Sequence, residues 1–104
     1  MPPMAKKHYP PDIVLRELAS VISKLSADEV YDVFQAILTP REREKIALRW
    51  QLVCLLEKGV TQRAIATRLG VSLCKITRGS HELKFGPAAF LKAVRHAVVK
   101  KEKT

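Results

Sequence analysis

Several residue types that would mark other functions are scarce in this sequence. There are two cysteines, Cys54 and Cys74, in 104 residues. They form no CxxC pair, and His8, His81 and His96 stand at no spacing that would complete a metal site with them. Neither a zinc site nor a disulfide framework is expected, and a reducing, cytoplasmic setting fits. No apolar run approaches the ~18 residues that suggest a bilayer span, so no membrane partner is expected. The opening stretch MPPMAKKHYPPD lacks the apolar core of a signal peptide. Nor is there a nucleophile beside a base, a carboxylate pair in an apolar setting or a phosphate-cradling loop. The chain therefore reads as no enzyme, with no catalytic residue and no enzymatic cofactor.

Acidic residues are also few. Nineteen Lys and Arg stand against ten Asp and Glu, a formal charge of +9. The imbalance is local. Residues 1–40 hold four bases and five acids, a net −1, whereas residues 41–104 hold fifteen and five, a net +10. A basic half favours a polyanionic partner, of which nucleic acid is the commonest, although a merely soluble basic surface gives the same count. The hydrophobic fraction of 47% suits a folded chain of one domain's size. So small a domain buries little of its surface, and oligomerisation is a common remedy.

Four of the six prolines fall in residues 1–11, which read as a flexible arm. Its Lys6, Lys7 and His8 either touch DNA phosphates or belong to an uninvolved tail. Residues 12–104 read as a single helical domain. From Asp12, Val14, Leu18, Val21 and Leu25 recur at helical spacing. A second helix begins at Ser26, where Ser26-Ala27-Asp28-Glu29 has the capping-box pattern, and carries Val30, Val33, Phe34, Ile37 and Leu38. Together these helices offer more apolar surface than one neighbour would cover, which suggests a dimer core over a compact monomeric bundle. A third helix starts with Thr39 as N-cap, Pro40 at N1 and Glu42 completing a capping box, and should stop at Gly59 in a left-handed cap. Apolar residues surround much of it. It is expected to be the buried central helix, with Trp50 in the core.

Residues 61–77, TQRAIATRLGVSLCKIT, have the pattern of a helix-turn-helix. Thr61 caps a short helix ending near Leu69, Gly70 supplies the turn, and Ser72 caps the next helix. Ala66 is small where the helices approach, and Ile65, Leu69, Val71 and Ile76 pack inward. Gln62, Arg63, Arg68, Ser72, Cys74, Lys75 and Thr77 are mostly outward, short polar groups for base edges with cations for phosphates. An ordinary helical hairpin with a glycine turn is the plainer alternative. Gly79 interrupts the inward apolar pattern at a cost of ~1 kcal/mol against alanine in a helix. The recognition helix bends, frays or ends there, or something approaches its backbone closely, as above a ligand cavity.

Residues 38–84 resemble the bacterial tryptophan repressor family. The resemblance is carried by Leu38-Thr39-Pro40, Glu42-Arg43-Glu44, Thr61-Gln62-Arg63, Ile76-Thr77-Arg78-Gly79-Ser80 and Leu83-Lys84. It implies an all-α, six-helix chain in an intertwined homodimer, with two reading heads docked in successive major grooves. Helix-turn-helix dimers dock in that way, with half-sites one helical turn apart. It also implies L-tryptophan as corepressor. By position, Arg49 and Arg78 would flank the indole, Arg78 would also meet the carboxylate, and Thr39 and Gly79 would line the pocket. The carbonyls of Ala36 and Leu38 from the partner chain would accept from the ammonium. Gln62, Arg63, Leu73, Cys74, Lys75 and Thr77 would face DNA, with Arg63 reading guanine. A guanidinium that stacks on an indole and pairs with a carboxylate is sound chemistry in its own right.

The chain departs from the family pattern in places. Glu82 stands where a serine usually contacts the ligand ammonium, His81 replaces an asparagine, Ala66 replaces a basic residue, and the loop before the motif is one residue shorter. Glu82 is expected to bind the ligand through its ammonium; the alternatives are a pair with Arg78 one turn away and a side chain that points to solvent. The expected function is a repressor that binds operator DNA when L-tryptophan is bound. The alternatives are a ligand-independent or differently liganded helix-turn-helix regulator and, from another class, a helical protein-interaction module.

Overall fold

A computed structural model describes residues 10–103, with the side chains of residues 10–99. Lys6, Lys7 and His8 of the expected arm lie outside the described residues. Six helices and no strand occur among the described residues: α1 (Pro11–Ile22), α2 (Ala27–Ile37), α3 (Pro40–Glu57), α4 (Gln62–Leu69), α5 (Leu73–Phe85) and α6 (Ala88–Lys103). The chain divides between Thr39 and Pro40 into two compact units.

The first unit holds α1 and α2. Pro11 opens α1 one residue earlier than the periodicity suggests, because proline at N1 has its φ already set for a helix and lacks only an amide that would go unpaired. The capping box of α2 is formed: Ser26 N–H donates to Glu29 Oε1 at 2.9 Å, and Glu29 N–H donates to Ser26 Oγ at 3.2 Å. No residue of either helix is buried. Ile13 is 64% exposed, and Leu15, Val21, Tyr31, Phe34 and Ile37 are exposed with it.

The second unit holds α3 to α6. Here α3 packs against α4, α5 and α6. Its Leu52, Val53 and Cys54 meet Ile65 of α4, Ile76 of α5 and Val94 and Val98 of α6 in one core, and Ile65, Ile76 and Val94 are wholly enclosed. Burying a residue of this kind contributes about 1.5–3 kcal/mol. The second half of α3 thus matches the central helix expected of it. The first half does not: Ile46 and Trp50 are exposed, Trp50 to 39%. Trp50 corrects the core assignment, since burial on α3 is confined to residues 52–54. The helix ends at Glu57, and Gly59 takes the left-handed conformation at φ 89°. Arg95 Nε on α6 donates to Glu57 Oε2 at 3.0 Å, tying the end of α3 to α6.

Candidate functional site

The α4–turn–α5 segment forms from local signals. Thr61 Oγ1 accepts from Ala64 N–H at 3.2 Å and so starts α4. Gly70 stops it in the left-handed region at φ 65°, where a side chain is disfavoured, and its amide returns to the Ala66 carbonyl. Ser72 Oγ then accepts from Lys75 N–H at 3.3 Å and starts α5. Ile65 and Ile76 are buried, and Ala66, Leu69 and Val71 pack against the core. The inward set is the one the sequence indicates, and a helix-turn-helix results.

The outward set is Gln62, Arg63, Arg68, Ser72, Leu73, Cys74, Lys75 and Thr77, and every one is exposed. Leu73 is 56% exposed, an apolar residue at the start of α5 where base methyl groups can be met. The unit carrying this surface also carries the basic excess of the chain, so it attracts phosphates.

Gly79 has a structural reason. α5 runs unbroken from Leu73 to Phe85, so the helix does not end at the glycine. A Cβ there would stand 2.6 Å from Leu52 Cδ2 and 3.3 Å from Val53 Cγ1. Side chains of α3 therefore press against the backbone of α5, and close approach is the reading that holds. Beside this contact lies a cavity of about 530 Å³, within the range of small-molecule sites. From α3 it is walled by Lys45, Arg49, Trp50 and Leu52, and from α5 by Lys75, Arg78 and Gly79. Val71 of the turn and Phe90 of α6 contribute apolar surface. No Asp or Glu lines it, whereas four cations do. The walls suit a flat aromatic body with an anionic group.

Arg49, Arg78 and Gly79 are thus brought to one cavity. Lys45, Trp50 and Lys75 line it as well, although sequence reasoning did not place them there. For Lys75 the signal was available: it lies three and four residues before Arg78 and Gly79, on the same face of α5. Ala36 lies in the last turn of α2, and Leu38 and Thr39 follow that helix; all three belong to the first unit. Glu82 does not line the cavity. Its side chain is 51% exposed, its Oε2 lies 3.8 Å from His81 Nδ1, and its Oε1 lies over Gly86, which ends α5. His81 stacks obliquely on Phe85 at 5.0 Å.

Among the described residues no helix is long and apolar enough to cross a membrane. No solved structure matches the chain significantly. The family profile described as Trp repressor protein matches residues 14–98. The chain is 43% identical over 70 residues to a "Trp operon repressor homolog" of Chlamydia caviae, covering 65% of this chain and 69% of that one. It is 40% identical over 74 residues to one from Mannheimia succiniciproducens, covering 70% and 73%. A third, from Pasteurella multocida, is 42% identical over 65 residues, covering 62% and 64%. A match of that extent, over a helix-turn-helix that forms as the residues indicate, places the chain in the Trp repressor family of transcriptional regulators.

Proposed function

We propose that the chain is a dimeric repressor whose grip on operator DNA tightens when L-tryptophan occupies the cavity between α3 and α5. One observation carries this reading. The cavity that brings Arg49, Arg78 and Gly79 together is walled by the same helix, α5, that exposes Leu73, Cys74 and Thr77 outward. A ligand there acts directly on the placement of the reading helix. In this reading the indole lies between the two guanidiniums, Arg78 pairs with the carboxylate, Thr39 and Gly79 line the pocket, and carbonyls of Ala36 and Leu38 from the partner accept from the ammonium. The ligand favours, among the available spacings of the two reading heads, the one that fits successive major grooves. The exposed apolar faces of α1 and α2 are the surface the partner chain covers, because neither helix has a buried residue of its own.

Calorimetry of the protein with L-tryptophan, followed by duplex binding with and without it, tests the reading. Heat of binding and a tighter duplex complex in the presence of ligand are expected. Absence of binding at millimolar L-tryptophan would end the corepressor assignment. One observation favours a second reading, a differently liganded regulator of the same family: the carboxylate at position 82, where a ligand-contacting serine is usual, lies outside the cavity. An aromatic acid without an ammonium group, binding where L-tryptophan does not, would establish it.

A further inference from the structure

Lys75 belongs to two surfaces at once. It is exposed on the first turn of α5, among the residues that face outward from the helix-turn-helix, and it also lines the cavity with Arg78 and Gly79. The Ser72 cap holds its own amide, so its backbone position is fixed at the start of the helix. We propose that Lys75 couples the cavity to DNA, and that filling the cavity orders its side chain for a phosphate contact. The inference rests on the ligand reading above.

The stem and the head of Lys75 meet a bound ligand differently. Lys75 lines the cavity together with Lys45, Arg49 and Arg78, so four cationic side chains share its walls. An aromatic ligand gives the stem an apolar surface to lie along and leaves the ammonium at the rim. Its carboxylate also offsets the mutual repulsion of the four cations. A side chain ordered before DNA arrives loses less freedom on binding it, so ligand and duplex bind with positive cooperativity. By reciprocity, duplex must tighten the ligand by the same factor.

The test measures duplex affinity with and without saturating L-tryptophan, and L-tryptophan affinity by calorimetry, for the unmutated protein, Lys75→Met and Lys84→Met. Lys84 is exposed near the other end of α5 and does not line the cavity, so its loss controls for net charge. The ratio of liganded to unliganded duplex affinity is expected to fall ~5-fold or more in Lys75→Met and to stay within ~2-fold of the unmutated value in Lys84→Met. Lys75→Met weakening duplex equally with and without ligand would make Lys75 a simple phosphate contact and overturn the coupling. So would an unchanged ratio, or a Lys75→Met protein that no longer takes up L-tryptophan. If the unmutated protein takes up no L-tryptophan, the corepressor reading fails first, and this one fails with it.

Discussion

Gly79 shows how one absent methyl group decides a contact. Alanine in its place gains ~1 kcal/mol of helix propensity. It also drives a Cβ to 2.6 Å from Leu52, a side chain that is itself buried, and overpacking of a core costs about 1–3 kcal/mol. Gly79→Ala is expected to lose ~1 kcal/mol net in a denaturant melt and to weaken ligand binding at the cavity. A more stable Gly79→Ala protein would mean that Leu52 turns aside freely. At Glu82, the carboxylate lies over Gly86 and beside His81, which supports the solvent-facing role among the three that its spacing permits. Glu82→Ser is expected to change L-tryptophan affinity less than ~2-fold, whereas a charge-assisted contact would be worth about 1.5–3 kcal/mol. A loss of tenfold by calorimetry would give Glu82 the ammonium role. Arg63→Ala is expected to lower operator affinity by ~1–3 kcal/mol while sparing random duplex, the signature of a base contact. Equal loss on both duplexes would reduce it to a phosphate contact.

Helices and turns were the most legible parts of the sequence, because their signals are local. Ser26 with Glu29, Thr61, Gly70 and Ser72 each do in the structure what their residue types suggest. Trp50 was not legible. Apolar residues surround α3 in sequence, and only tertiary placement decides which of them face the core and which the cavity. The same holds for Lys45 and Lys75, whose share in the cavity depends on where α3 and α5 meet, and for Glu82, whose rotamer no spacing fixes. The turn between α4 and α5 offers a test free of packing effects. A Cβ at Gly70 meets nothing within 4 Å, so substitution there strains only the backbone at φ 65°. Gly70→Ala is expected to cost about 1–2 kcal/mol and Gly70→Asn less, since asparagine tolerates the left-handed region. Equal stability of all three proteins in thermal melts would show that the turn adopts another conformation.

At the scale of the molecule, basic charge is confined to one part of the chain, whereas exposed apolar side chains occur in both units, with Leu73 and Phe85 exposed in the second. The first unit exposes Ile13, Leu15, Tyr31 and Ile37, while residues 41–104 hold the net +10. Sedimentation at micromolar concentration is expected to give twice the chain mass. A folded monomer there would overturn the dimer. Duplex binding is expected to fall ~10³-fold or more between 50 and 200 mM salt, as for a protein contacting six or more phosphates. A flat salt response would favour a protein-interaction module instead.

The two cysteines, separated by burial, give the molecule a pair of chemical clocks. Cys74 lies in the open on α5, and Cys54 lies inside the core at 7% exposure. A maleimide should therefore react with the first at once and with the second only during rare openings of the fold. Bound duplex should shield Cys74 and leave the Cys54 rate set by the opening equilibrium alone. Mass spectrometry of one alkylation time course then reports occupancy of the reading head and stability of the core together.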